Sequence, residues 1–318
     1  MHAFSPSALE IDGPAGLPRA MLDEIHDHLV FVLREKLHWT DATNPEMSAG
    51  AGHVVIRFER AGQRYVFRVA RHGLAQHKRT MLAYRFAGPL GIIPEKIYHD
   101  GVSIVERHVD GQPLSAQIDD AGLRRLAEAL ARLHSLPAQG FGPLDFDTQG
   151  SFPDALAYFA AQPPLELDWS ESDVSGAEAA RLEAALARAQ DVPAAVSAAP
   201  VRMGHGDLWR DNIIVDADGF RIIDWDRIGA YPIERDLAFL LECGLNPVQR
   251  AVFFSAYGLR DLVDAQRLFW FACRRVLRDR GLRLARRAER LGEIERAVAQ
   301  MTEPLDEPRP AGVPNCRI

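Results

Sequence analysis

Apolar positions in the first third of the chain change period twice. Over 19–37, Leu22, Ile25, Leu29, Leu33 and Leu37 recur at three- and four-residue steps, the spacing that lines one helix face. At 54–58 and 65–69 they become two short β-rich runs joined by Glu59-Arg-Ala-Gly-Gln63, which predicts a hairpin. Helical spacing returns around 76–86 and stops at Gly88-Pro-Leu-Gly91, and 92–98 and 102–105 read as further strands. Beyond a polar, turn-forming stretch at 106–111 the pattern is almost wholly helical. Asp119-Asp120 caps a stripe of Leu123, Leu126, Leu130 and Leu133, with His134 at its end as a packing residue. A loop at 139–143, helices at 154–161 and 176–190, and an Ala/Pro connection at 191–200 follow. No internal repeat stands out. The pattern predicts an α+β chain in two lobes. Residues 1–108 form a small N-terminal antiparallel sheet with helices, and 109–318 a larger, mainly helical lobe, with a hinge at about 106–111.

The stretch 201–238 departs from this regularity and carries the chemistry. An apolar run leads into His205-Gly-Asp207-Leu-Trp-Arg210-Asp211-Asn212. Ile213 to Val215 and Phe220 to Ile223 then form a hairpin around Asp216-Ala-Asp-Gly219, followed by Asp224-Trp-Asp226. A hairpin brings its outer ends together, so Asn212 and Asp224 are expected side by side, with Asp207 overlooking both. One carboxylate and one amide oxygen make a hard donor pair suited to Mg²⁺, which keeps its remaining positions for water and phosphates. A second carboxylate nearby can take the proton of an attacking hydroxyl. That is the layout of phosphoryl transfer in kinases.

The other parts of such a site are sought upstream. Ser48-Ala-Gly50-Ala-Gly52 is either a loop over a nucleotide or an ordinary strand-to-strand turn. Arg68, alternating out of the second strand of the hairpin, is a candidate cation for the nucleotide phosphates. No acidic residue occurs from Arg71 to Pro94, so the following helix cannot supply its usual ionic partner. Arg68 is then held by phosphate and by polar neighbours such as Gln76 or Thr80, or it faces solvent. Residues 106–108, with Glu106 and His108, are expected to offer backbone groups to an adenine edge, their side chains being immaterial.

Downstream, Glu234 and Asp236 open a helix. Asp236 is either a surface residue matched to the helix dipole or, as favoured in a kinase-like lobe, the acceptor for N–H groups of the 205 loop. Eleven arginines stand against six acids over 260–296, with Asp279 and Arg283 at helical spacing. The default reading is a solvated helix face, and the minority reading a cationic rim for an anionic substrate or partner. The end of the chain from Thr302, with four prolines, reads as a mobile tail.

Composition narrows the class. Hydrophobic residues make up 47% of 318 and the net charge is −7, which gives nucleic-acid binding no support. Three scattered cysteines lack metal spacing and suit a reducing compartment. Neither a signal peptide nor a membrane-length apolar run is seen, so a cytoplasmic protein with no membrane partner is expected.

The segment His205-Gly-Asp-Leu…Asn212…Ile-Ile-Asp224-Trp…Arg-Asp236-Leu-Ala resembles the aminoglycoside phosphotransferase and choline kinase-like superfamily over about residues 45–245. Tyr65-Val-Phe-Arg-Val69, the run 78–87 and Gly140-Phe-Gly-Pro143 look closer to hygromycin B phosphotransferases within it. The resemblance implies a bilobal protein-kinase-like fold. It implies ATP or GTP with Mg²⁺ as cofactors and phosphorylation of a hydroxyl on a small molecule, an aminoglycoside-type antibiotic before a sugar, fructosamine or amino alcohol. By position it makes Asp207 the base, Asn212 and Asp224 the metal ligands, Arg68 the phosphate-binding strand residue and Asp236 the brace of the loop. His205 is a structural support, and Arg210 a second candidate for the γ-phosphate. A cationic substrate calls for carboxylates, and Asp211, Asp226 and Glu234 are the candidates. A monomer or weak dimer is expected. The rival reading from another class is a nucleotide-binding scaffold without transfer activity, prompted by the altered surroundings of Arg68.

Overall fold

The structure is a computed structural model that describes residues 18–49, 53–71, 74–115, 118–169, 174–216 and 219–302. The described residues divide into two compact units between Asp110 and Gly111.

The first unit contains α1 (Arg19–Phe31), β1 (Thr43–Ala49), β2 (His53–Arg60), β3 (Gln63–Ala70), α2 (Leu74–Phe86), β4 (Lys96–His99) and β5 (Ser103–Arg107). The strands form one antiparallel sheet in the order β1-β2-β3-β5-β4. The β2–β3 turn is Ala61-Gly62, both at positive φ (49° and 74°), the twist that suits a two-residue hairpin. The 19–37 helix stops at Phe31 and widens into a π-helical turn at Val32–Lys36. There both Val32 and Leu33 turn into the core with Leu29, Ile56, Phe58 and Phe67. Two strand boundaries differ from the sequence reading. Strand β4 starts only at Lys96. Strand β1 lies outside the strands predicted from the sequence, and its Pro45 is tolerated because β1 is an edge strand.

The second unit is less helical than its apolar spacing suggests. Its elements are β6 (Gln112–Pro113), α3 (Asp120–His134), β7 (Phe141–Phe146), β8 (Gln149–Phe152), α4 (Ala155–Ala160), α5 (Gly176–Gln190), α6 (Ala194–Ser197) and β9 (Arg202–Gly204). Then come β10 (Ile213–Asp216), β11 (Gly219–Ile222), β12 (Gly229–Tyr231), α7 (Glu234–Leu237), α8 (Pro247–Tyr257), α9 (Ala265–Arg278) and α10 (Leu284–Thr302). Two small sheets run β11-β10-β6 and β8-β7-β12-β9. The stretch 139–143, read as a loop, enters β7 at Phe141. Gly142 pairs with Ala230 at φ +93°, and a Cβ there would stand 2.9 Å from the Tyr158 ring, so its glycine marks close packing within a strand. Asp119 caps α3, accepting the Gly122 N–H at 2.7 Å.

The arginine-rich segment is also corrected. Asp279 ends α9 and α10 begins at Leu284, so Asp279 and Arg283 share no helix. Arg274 and Arg287 are buried, and Arg267, Arg274 and Arg275 of α9 donate inward to main-chain carbonyls, whereas Arg280, Arg283, Arg286 and Arg296 are exposed, so only part of the segment is a solvated face. Among the described residues no helix is long and apolar enough to cross a membrane. The tail beyond Thr302 lies outside the described residues.

Candidate active site

Between β9 and β10 the chain makes a loop whose main-chain groups are claimed from several sides. The N–H groups of His205 and Gly206 donate to the two Asp236 carboxylate oxygens, at 2.6 and 2.8 Å. His134 Nε2 donates to the same carboxylate at 3.1 Å, and its Nδ1 accepts the Tyr257 hydroxyl at 2.6 Å. His134 therefore does more than pack. Burial alone would raise the Asp236 carboxyl, but His134, His205 and the Gly206 N–H hold it down to about 2. The loop carbonyls are held as well: Arg235 Nε donates to Gly206 O at 2.7 Å, and Arg275 Nη1 to Leu208 O at 2.5 Å. Gly206 sits at φ +82°. A Cβ there would collide with the Arg227 carbonyl and come within 2.5 Å of the Tyr231 ring, so only glycine fits.

The His205 ring links this loop to the hairpin β10–β11. Its Nδ1 accepts the Asp207 N–H at 3.2 Å, which fixes the proton on Nε2, and Nε2 donates to Ile223 O at 2.9 Å. At the open end of the hairpin, Ile223 N–H donates to Asn212 O at 2.9 Å. The Asn212 side-chain N–H donates to the Asp207 carbonyl at 2.9 Å, which presents the amide oxygen as an acceptor. Asp224 follows Ile223 at φ +61°, strained for a residue with a Cβ, and its side chain is exposed. Asp207, Asn212 and Ile223, the residue before Asp224, are thus joined in a ring of four hydrogen bonds that passes through the His205 side chain. Asp207 is half-exposed, with Arg227 Nε 4.0 Å from its carboxylate.

These donors are few and all oxygen, which fits Mg²⁺ shared with water and phosphate rather than a metal caged by protein. Among the described residues there is no group of three or more His, Cys, Asp or Glu placed to hold a metal.

In the first unit, Arg68 has an acidic partner after all. Its Nη2 lies 3.1 Å from Glu106 Oε1, both side chains being largely buried, and the Tyr84 hydroxyl donates to the same oxygen at 2.6 Å. Burial and then Glu106 raise the Tyr84 phenol above its ordinary value, so it stays a donor. Strand β5 supplies the acid that α2 lacks, and the side chain of Glu106 matters where only its backbone was expected to. The N–H groups of Arg107 and His108 are bonded to Glu95 O and Arg64 O at 2.8 and 3.0 Å, so the amides expected to meet an adenine edge are already occupied. The His108 ring lies 3.0 Å from Asp110.

The remaining sequence candidates are dispersed. Ser48 belongs to β1 rather than a loop, and its hydroxyl accepts from Arg57 at 3.1 Å; Gly50 lies outside the described residues. Arg210 and Asp211 face each other at 3.3 Å near the surface. Glu234 is buried and bound to Arg267 at 2.6 Å and to the Asp264 N–H, which commits it to structure. None of Asp211, Asp226 and Glu234 lines the cavity of about 280 Å³ that opens beside Asp207 within the second unit.

A model of the phosphotransferase enzyme family matches residues 45–271. Among solved structures the chain is similar to aminoglycoside phosphotransferase APH(4)-Ia, at 18% identity over 87% of this chain and 99% of that one, with a TM-score of 0.57. It is similar to spectinomycin phosphotransferase APH(9)-Ia, solved with ADP and spectinomycin, at 15% identity over 86% and 98% and a TM-score of 0.57. A third likeness is to the GDP complex of aminoglycoside 2′-phosphotransferase-IIIa, at 18% identity over 86% and 98% and a TM-score of 0.55. These likenesses establish the kinase-like α+β fold. No protein of curated function matches the chain in sequence.

Proposed function

Because the chain belongs to the phosphotransferase enzyme family, whose members phosphorylate hydroxyl groups of small molecules, we propose that it transfers the γ-phosphoryl group of ATP or GTP to a small-molecule hydroxyl, with Asp207 as base. The reading rests above all on how Asp207 is held. Its N–H is fixed by His205 and its carbonyl by Asn212, in a loop braced from beneath by Asp236. The complexes of fold relatives with ADP and with GDP support a purine nucleoside triphosphate as donor.

In this reading Asp207 orients the acceptor hydroxyl and takes its proton as the new oxygen–phosphorus bond forms and the bond to the β-phosphate oxygen breaks. Asn212 and Asp224 would hold Mg²⁺, which when bound neutralises charge on the phosphate oxygens. Arg68, positioned by Glu106, supplies positive charge for the phosphates, and Arg210 is a second candidate for the γ-phosphate. The Arg68–Glu106 pair removes the observation that prompted an inactive scaffold. Of the three acids expected to receive an aminoglycoside of the hygromycin kind, Glu234 is bound to Arg267, and none lines the cavity beside Asp207.

The test is a nucleotide-consumption screen over hydroxylated small molecules of varied charge, with mass spectrometry of the product. Asp207→Asn is expected to keep Mg-nucleotide binding while turnover falls about 10²–10⁴-fold, or roughly 3–5 kcal/mol of barrier. Asp224→Ala is expected to lose both turnover and Mg²⁺-dependent nucleotide binding. Near-normal turnover in either variant overturns the assignment.

A further inference from the structure

The cavity beside Asp207 has the wrong charge for a polycation. Six arginines line it: Arg227, Arg235, Arg274, Arg275, Arg278 and Arg290. Only three acids face them. Asp207 is reserved for the reacting hydroxyl. Glu242 is pushed toward its neutral form by burial, despite Arg275 and Arg290. Asp279 stands at the end of α9.

The arginines are not equivalent. Arg235 and Arg275 spend N–H groups on loop carbonyls. Arg274 donates to Ala189 O and stacks on Phe159 and Trp270, with its guanidinium carbon 4.8 and 4.9 Å from the ring centres. Arg278 and Arg290 lie within 4.0 Å of no carboxylate among the described residues, and Arg278 Nη2 is buried without an acceptor. Burial, then Arg278 and Arg235, hold the Arg274 guanidinium down to about 10, so the cluster repels itself. Buried guanidinium N–H groups without acceptors are costly, and this cost falls when an anion meets them. Phe159 and Phe271 also line the cavity and offer apolar surface to the body of a ligand.

We infer that the acceptor of this phosphotransferase is an anion: a hydroxylated small molecule bearing a carboxylate or phosphate, seated on Arg278 and Arg290 with its hydroxyl toward Asp207. The inference deepens the phosphoryl-transfer reading and rests on it for the hydroxyl. The anion subsite itself is testable without turnover. Forked guanidinium contacts suit either oxyanion, and a cationic aminocyclitol would meet like charge.

The experiment is a calorimetric titration of the full chain saturated with Mg-AMP-PNP, using four matched probes: glycerate, glycerol 3-phosphate, glycerol and 3-amino-1,2-propanediol. Saturable binding is expected for one or both anions, and the tighter of the two identifies the oxyanion. Glycerol and the amino alcohol are expected to bind at least tenfold more weakly. Arg278→Gln is expected to weaken the anion about tenfold while changing glycerol less than twofold. Arg290→Gln, at a half-exposed position, repeats the measurement should the first variant fold poorly. Tighter binding of the amino alcohol, absence of anion binding, or anion binding unmoved by both variants overturns the inference. A parallel turnover assay with hydroxy acids and their amides separates the two readings. Anion binding without transfer to any acceptor counts against the phosphotransferase reading alone, whereas transfer with no preference for acid over amide counts against the anionic acceptor alone.

Discussion

Each unit contains a buried acid linked to a tyrosine, and the two acids hold different things. In the first, Tyr84 donates directly to Glu106, and Glu106 holds one side chain, Arg68. In the second, Tyr257 reaches Asp236 through His134, and Asp236 holds two main-chain N–H groups. A guanidinium on a flexible stem needs an anchor to keep its place, but that place is adjustable. A loop amide has no such freedom, so an acid beneath it fixes the position of everything the loop carries. In the proposed mechanism the first arrangement tunes a contact to the nucleotide, and the second sets the frame in which the proposed base, Asp207, works.

The comparison is broken most severely at Asp236. Asp236→Ala leaves two buried N–H groups and His134 without their acceptor, and a loss of about 3–5 kcal/mol in urea unfolding is expected. The same carboxyl gives the protein an acid limb. Its value is depressed from 3.8 to about 2 in the folded state, so its stabilisation is complete above about pH 4 and is lost as pH falls toward 2. That loss is on the order of 2–3 kcal/mol. Asp236→Asn should flatten this part of the pH–stability curve, and an unchanged slope would sink the assignment.

Glu106→Gln is expected to act differently. Stability should fall by about 1–3 kcal/mol, and KM for Mg-ATP should rise about ten- to a hundredfold. An unchanged KM would make the Arg68–Glu106 pair purely structural. The smallest effects belong to the tyrosines. Tyr84→Phe and Tyr257→Phe each remove one hydroxyl and should cost about 1 kcal/mol. Only Tyr84→Phe is expected to raise KM for the nucleotide, by a few-fold. A matching rise in Tyr257→Phe would erase the distinction between the two arrangements.

What was legible in the sequence follows the range of the interactions involved. The hairpin that joins Asn212 to Asp224 is local, its turn residues and apolar alternation lie within a dozen positions, and the ring of His205 needs only the next strand. Glu106 is another matter. Arg68 pairs across β3–β5 with Ile104, and Glu106 with Val66, so Arg68 and Glu106 are diagonal neighbours on one face of the sheet. That register is fixed by strand pairing 38 residues apart, which no local periodicity reveals. The arginines of α9 were misjudged for a related reason. Spacing locates a stripe, but a long side chain that stacks on Phe159 and reaches a carbonyl satisfies a buried face as well as a solvated one. The signal in reach was the alternation of Arg274, Arg275 and Arg278 with Phe271 along one helix.

Arg275 spans two chain segments, donating to the carbonyls of Leu208 and Arg235. Both acceptors belong to the peptide backbone, so the side chains at 208 and 235 can vary without releasing this clasp. The guanidinium itself has no such latitude. A lysine in its place has one nitrogen on a flexible stem where the fork supplies two fixed ones, and would leave one of the segments unfastened.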